Sequence, residues 1–265
     1  NYILTRMETG RLAYTEVLAE ADAQGYLEAD PNHDVGGIDA AHKLVILSAI
    51  SFGTQVDFAG ARLQGISEIT IEDIIAARDM GYRIKLLGLA QMTDAGLEQS
   101  MMPCLVPYNS PLGQLEGGTN MVVIEGDAVG QVVLRGAGAG AGPTASAVLG
   151  DVVDIARGAV VPIFGSPAKD LVAARPAQSS TPSNWYIRLR LRDAPGVLAK
   201  VAGALGAQGV SIDRLRQQAH QPGEAAPVLI VTHPAAPASV EAALAAIEGT
   251  DDSAAAPIAL RIVEV

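Results

Sequence analysis

Apolar residues recur at helical spacing through the first 80 positions of the chain. One stripe contains Val17 and Ala21 and ends near Gly25, a residue type common at helix ends. Two further helices are predicted, over 38–50 and over 71–80. In the helix predicted over 38–50, the residues expected to face inward are Ala41, Leu44, Val45 and Leu47.

The hydropathy pattern changes to strand-like runs after residue 81. The predicted strands cover 82–92, 97–107, 120–127 and 130–136. The last two strands predict a hairpin with its turn at Gly126-Asp127. A helix follows with Pro143 in its first turn. This order predicts an α/β layer structure.

Residues 166–183 are rich in Pro, Ser and Ala and show no period, so they predict a linker between a domain at 1–165 and one at 184–265. The second domain reads as βαββαβ, the ferredoxin-like order. Its first strand alternates Ile187 and Leu189 with Arg188 and Arg190. We expect one face of this sheet to be core and the other to meet water or a partner.

The composition is that of a globular protein. Hydrophobic residues make up 49% of the 265 positions and the net charge is −11. That charge argues against nucleic acid or an anionic membrane as a partner, and no apolar run is long enough to span a bilayer. The one cysteine, Cys104, fits a cytoplasmic protein and is interpreted as a packing residue. The chain begins in mid-pattern at Asn1, which indicates a fragment or a processed chain.

The densest group of candidate functional residues is the acidic run over 26–43, which contains Glu28, Asp34, Asp39 and Lys43. Asp39 and Lys43 are four residues apart at a helix start, so they share a face. Converging carboxylates beside one lysine suit a cationic amino group and a proton donor. The alternative, a solvated acidic loop with a surface pair, is favoured by spacing alone.

Two other patterns in the sequence bear on ligand binding. His33 and His42 flank the acidic run, but no metal-ligand spacing recruits further residues, and no metal site is predicted. The run over 136–141 fits a relaxed Gly-x-Gly-x-x-Ala form between a strand and a helix. A primary dinucleotide fingerprint requires an acidic residue about 20 positions on, but position 156 is Ala and position 157 is Arg. Gly138 and Gly140 therefore predict either close cofactor approach or only a tight turn.

Three motifs in order resemble homoserine dehydrogenases. The segment DVGGIDAAHK resembles the family signature D-[VL]-x-G-x-D-x-x-x-K, the opening NYILTRM resembles the end of an earlier motif, and GAGAGAGPTASAVLGDVVDIA resembles a late Gly-rich turn and helix. The resemblance runs from residue 1 to about 158. It implies a substrate-binding and dimerisation domain of mixed sheet with helices on one side.

The resemblance also implies roles for individual residues. Lys43 would be the catalytic acid and base at the carbonyl oxygen, and Glu28 and Asp39 would bind the substrate amino group. Asp34 and Tyr26 would line the same pocket. Gly140, with Gly138 beside it, would contact the nicotinamide. The implied substrates are homoserine and aspartate 4-semialdehyde.

The family's main nucleotide-binding domain has no counterpart in this sequence. A second catalytic lysine and the loop that holds a monovalent metal ion belong to that domain in the family and are missing with it. The cofactor that the resemblance implies is NAD or NADP. We expect residues 1–265 alone to be inactive. The rival hypothesis is a non-catalytic amino-acid-sensing protein in which residues 1–165 are a dimer scaffold.

The segment LRDAPGVLAKVAGALGAQGVSID resembles the ACT regulatory domain, so the second half is expected to be a ferredoxin-like ACT domain. Asp193, Gly196 and Leu198 fit its [DN]-x-x-G-x-[LI] mark. A helix N-terminus freed of side chains by glycine attracts a carboxylate. The resemblance implies an amino-acid effector, threonine first, and a homodimer or larger homo-oligomer. The alternative is a βαββαβ module that only dimerises or only stabilises the fold.

Overall fold

The computed structural model describes residues 2–24, 32–159, 161–177, 181–217 and 225–264. The helices are α1 Tyr2–Gly10, α2 Tyr14–Ala23, α3 Asn32–Val35, α4 Ile38–Phe52, α5 Ile71–Asp79, α6 Ala141–Ala156, α7 Val197–Ala207 and α8 Pro237–Glu248. The strands are β1 Arg62–Leu63, β2 Tyr82–Thr93, β3 Gly96–Pro107, β4 Thr119–Gly126, β5 Gly130–Ala137, β6 Trp185–Leu191, β7 Ile212–Gln217, β8 Ala226–Thr232 and β9 Ile258–Ile262. The predicted mixed α/β fold is confirmed.

Helix α4 packs one face on the long β2–β3 hairpin. The buried residues of this helix are Ala41, Leu44, Val45, Ser48 and Ala49. The expectation that Leu47 faces inward is wrong, because its side chain is 42% exposed. Ile46 and Ile50 are exposed as well. The helix is apolar on both sides, so periodicity alone does not identify the face that meets the sheet.

The two predicted domains contribute to one sheet. Among the described residues it has seven strands in the order β1-β3-β9-β6-β8-β7, with β2 paired to β3. Strand β3 pairs in parallel with β9, placing Cys104 opposite Arg261 and Leu105 opposite Ile262. The division into domains at 1–165 and 184–265 therefore stays a prediction. The sheet contains strands from both of these ranges.

Both faces of the C-terminal part of this sheet are covered. Helices α7 and α8 cover one face over a core that includes Leu189 and Ile230. On the other face Tyr186 and Leu260 share a core with α1, α2 and α5. The expectation that this arginine-bearing face meets water or a partner is wrong at Arg188, which binds the buried Asp73 of α5.

The segment predicted as a linker is held against the first half of the chain. The amide of Gln55 donates to the carbonyl of Val172 at 2.7 Å, and the amide of Leu97 donates to that of Arg175 at 2.7 Å. A Cβ on Gly96 would lie 2.4 Å from the Arg175 oxygen. Glycine is therefore required where the segment crosses the start of β3.

The β4–β5 hairpin and α6 project from the rest of the fold. Gly126 pairs with Gly130, so the loop is residues 127–129 and begins one position later than the predicted turn. Helix α6 contains no buried residue in the described part of the chain. No helix in the described ranges is long and apolar enough to cross a membrane.

Candidate functional site

A double-glycine turn fixes where α4 begins. The amide of Gly36 donates to the carbonyl of Asn32 at 2.9 Å, closing α3. Gly37 follows with φ of 78° and is buried against the sheet. A Cβ there would lie 2.9 Å from Cγ of Met101 on β3. Both the positive φ and the close approach require glycine, and together they seat the first turn of α4 on the hairpin.

This turn presents Asp39 and Lys43 together on the outer face of α4. Lys43 Nζ and Asp39 Oδ2 form an ion pair, with the side chains 67% and 50% exposed. The predicted shared face is thus present. Such an exposed pair contributes little stability, about 0.3–0.5 kcal/mol. Its chemical value is an accessible ammonium that a carboxylate orients and that can donate a proton.

The remaining members of the predicted substrate pocket are less fully described. Asp34 lies half-buried on α3, two residues before the double glycine. Tyr26 and Glu28 lie outside the described residues, so their convergence on Lys43 stays a prediction. His42 stacks on Phe58 with ring centroids 4.4 Å apart. Across the described ranges, no group of three metal-binding side chains is placed to hold an ion.

The Gly-rich turn joins β5 to α6 and is exposed. Gly140 caps α6 with φ of 119°. A Cβ on Gly138 would overlap Nδ2 of Asn120 at 1.5 Å. The positive φ of Gly140 therefore requires glycine, as the tight-turn alternative expects, whereas the overlap at Gly138 is with the end of a side chain that can rotate away. Gly140 also adds no side chain in front of the N-terminus of α6, as close approach of a flat ring requires.

The β6–α7 turn carries the predicted effector residues. Gly196 caps α7 with φ of 87°, and no atom lies within 4 Å of the position of a Cβ there. Asp193 is exposed, and Leu198 packs at the edge of the core beneath α7 and α8. The first amides of α7 thus border open space on the side of Gly196. That arrangement can receive an anion.

Several buried charged groups were not identified from the sequence. Asp73 is fully buried, and its carboxylate accepts from Tyr186 Oη at 2.9 Å and from Arg188 Nη1 at 2.6 Å. The Thr70-x-x-Asp73 spacing is a readable helix-start signal, but it does not reveal the two partners on β6. Desolvation raises the pKa of Tyr186 far above its ordinary value.

Two cations on β2 hold the loop that leads into the β4–β5 hairpin. Buried Lys85 donates to the carbonyl of Leu115 at 2.6 Å, and Arg83 donates to that of Gly113 at 2.9 Å. Desolvation lowers the pKa of Lys85.

Cys104 is fully buried, and burial raises the pKa of its thiol to about 12. The cysteine is thus an unreactive packing residue.

The chain matches two family models, "Homoserine dehydrogenase" over residues 1–153 and "ACT domain" over residues 185–249. The homoserine dehydrogenase of Neisseria gonorrhoeae is 40% identical over 95% of this chain and 59% of that protein. That of Pseudomonas aeruginosa is 39% identical over 99% and 62%. The chain thus spans about 60% of the length of these curated relatives.

Solved structures agree with the sequence matches. The crystal structure of a homoserine dehydrogenase from Thiobacillus denitrificans superposes with a TM-score of 0.85 at 39% identity, over 100% of this chain and 62% of that one. One from S. aureus gives 0.74 at 26% identity, again over 100% and 62%. The chain belongs to the homoserine dehydrogenase family and carries a C-terminal ACT domain.

Proposed function

We propose that this chain forms the substrate-binding and dimerisation part of an enzyme that interconverts L-homoserine and L-aspartate 4-semialdehyde with NAD or NADP. The observation that carries the proposal is the Asp39–Lys43 pair, exposed on the first turns of α4 within the region matched to the family. The double glycine that seats this helix supports it, because it fixes the direction in which the pair projects.

Lys43 acts as the acid and base. When the aldehyde is reduced, negative charge develops on its oxygen, and the Lys43 ammonium stabilises that charge and donates a proton to it. In the reverse direction the neutral amine accepts the proton from the homoserine hydroxyl. Asp39 keeps Lys43 oriented and, with Glu28, binds the substrate ammonium. Asp34 and Tyr26 complete the pocket in this proposal.

The Gly-rich turn is proposed as the nicotinamide contact. Gly140 fits such a group, because the one atom within 4 Å of the position of a Cβ there is Pro143 Cδ at 3.6 Å, whereas at Gly138 the Asn120 side chain lies in that space and would have to rotate away. When bound, the nicotinamide supplies or accepts the hydride. Helix α6 has no buried residue among those described, and its exposed apolar side chains favour packing against the remaining 40% of the whole enzyme. The loop that would hold a monovalent metal ion is proposed to lie in that remaining part.

The ACT half is proposed to bind an amino-acid effector, threonine first, at Asp193, Gly196 and Leu198. The ACT match and the open space beside Gly196 support this site. Dimerisation is proposed through the edge of β7, whose residues from Asp213 to Gln217 are exposed. Strand β9 is less available because β3 pairs with it.

The test joins residues 1–265 to the N-terminal segment that the Neisseria gonorrhoeae relative possesses in addition. We expect this chimera to oxidise homoserine with NAD or NADP, and residues 1–265 alone to show no turnover, since they lack the main nucleotide-binding domain. Spectrophotometric assay of nicotinamide reduction measures both. Turnover by residues 1–265 alone, or a folded but inactive chimera, would contradict the proposal. A folded, inactive chimera that still binds an amino acid would favour the non-catalytic sensor.

A further inference from the structure

A short segment after α8 runs beside the end of β6. The amide of Arg192 donates to the carbonyl of Asp252 at 2.8 Å, and the amide of Ala254 donates to that of Arg190 at 2.8 Å. Strand β9 pairs with β6 only as far as Arg188. Residues 252–254 therefore continue the pairing up to the turn that leads into α7.

The carboxylate of Asp252 accepts hydrogen bonds from the two cationic side chains that flank this turn, those of Arg192 and Lys200. Lys200 Nζ, in the first turn of α7, lies 2.6 Å from Oδ2, and Arg192 Nε lies 3.1 Å from Oδ1. Asp252 is 4% exposed, whereas the side chains of Arg192 and Lys200 are 61% and 66% exposed. The hydrogen bond from Lys200, then that from Arg192, holds the pKa of Asp252 below its ordinary value. One buried carboxylate thus ties the end of a strand to the start of the next helix.

The turn between β6 and α7 is also held by packing, since Val197 is buried and Ala194 packs against the core beneath α7 and α8. Gly196 has open space on its Cβ side. Within the turn the amide of Val197 donates to the carbonyl of Ala194 at 3.3 Å, a long hydrogen bond. A glycine-containing turn loses more conformational entropy on ordering than other turns. An anchor outside the turn therefore adds to this packing in restraining the turn's amides.

We propose that Asp252 is a positioning residue for the amino-acid effector site, holding Arg192 and Lys200 so that the amides beside Gly196 are pre-arranged for the effector carboxylate. The inference rests on the effector function proposed above. Because both cations are already bound to Asp252, the effector carboxylate is received by the amides of α7. Without Asp252, the effector has to order the turn as it binds, and affinity falls.

The experiment is calorimetric titration of the 265-residue chain with threonine, isoleucine and methionine. For the amino acid that binds, Asp252→Asn is expected to weaken binding about tenfold or more. Asp251→Asn is the matched control, because it removes one exposed charge from the neighbouring position, and it is expected to leave affinity within about twofold. Asp252→Glu, which restores the carboxylate, is expected to recover part of the affinity. Circular dichroism confirms that each variant is folded.

A double-mutant cycle separates positioning from general stabilisation. Lys200→Met removes an exposed cation, so this variant folds even if Asp252→Asn does not, and it is expected to weaken binding severalfold. The double variant should bind about as weakly as Asp252→Asn alone, because the two residues act as a unit. The inference would be overturned if the fold-losses of affinity in the two single variants multiplied in the double variant. It would also be overturned if Asp251→Asn weakened binding as much as Asp252→Asn. Wild-type affinity in both Asp252→Asn and Lys200→Met would also overturn it, whereas a wild-type chain that binds none of the three amino acids would instead remove the effector function itself.

Discussion

At the residue scale, the candidate site depends on a few positions whose chemistry is legible in the sequence. The four-residue spacing of Asp39 and Lys43 predicts their pairing, and the structure shows that pair. One reason for the double glycine is not predictable from the sequence, since Gly37 closely approaches Met101, which lies 64 positions later. Sequence spacing cannot report such a close approach across elements.

Lys43→Ala in the chimeric enzyme is expected to lower kcat by about 10²–10⁴-fold, because it removes the positioned acid and base. Glu28→Ala is expected chiefly to raise the homoserine KM, because its proposed contact exists in ground and transition states alike. Steady-state assays over a range of homoserine concentrations separate the two effects.

The control for Lys43→Ala is stability. The ion pair with Asp39 is exposed, so its loss should change the free energy of unfolding by less than about 1 kcal/mol. A near-normal kcat in Lys43→Ala would contradict the proposed catalytic role of Lys43. It would favour the alternative that the acidic run is a solvated loop with a surface ion pair.

At the element scale, α5 shows that the pattern predicting a helix does not predict the helix's partners in the fold. The sequence predicts the helix, and the structure shows a capping box of Thr70 and Asp73 at its start. The sequence does not show that the same carboxylate also binds Tyr186 and Arg188, more than 110 positions away. Helix α5 is thereby joined to β6 through a buried ion pair that no local rule predicts.

Asp73→Asn is expected to lower the free energy of unfolding by about 3–5 kcal/mol, because it leaves the largely buried Arg188 guanidinium without its charge partner. The matched variant on the same helix is Asp79→Asn. Asp79 forms an exposed pair with Arg216 at 3.6 Å, so less than about 1 kcal/mol is expected.

Urea unfolding of both variants measures the difference. Equal stabilities for Asp73→Asn and Asp79→Asn would mean that the buried pair does not join α5 to β6 in solution.

At the scale of the whole molecule, the order of elements was predictable and the way the halves join was not. The βαββαβ order after residue 184 follows from periodicity, and the strands and helices appear there as expected. The parallel pairing of β3 with β9 joins strands more than 150 positions apart. Nothing in either strand's alternation identifies the other, and the Pro- and Ser-rich segment between them favours separate domains.

The shared sheet and the core of Tyr186 and Leu260 with α1 and α5 predict that the two halves unfold together. In native-state hydrogen exchange, amides of α5 and of β6 should therefore open with the same free energy and the same dependence on urea. Amides of α6, which buries no residue among those described, should exchange at a much lower free energy. Mass spectrometry of peptides from the three elements makes the comparison within one sample. Protection of β6 that persists at urea concentrations where α5 exchanges freely would show that the ACT half is autonomous, as the linker composition suggests.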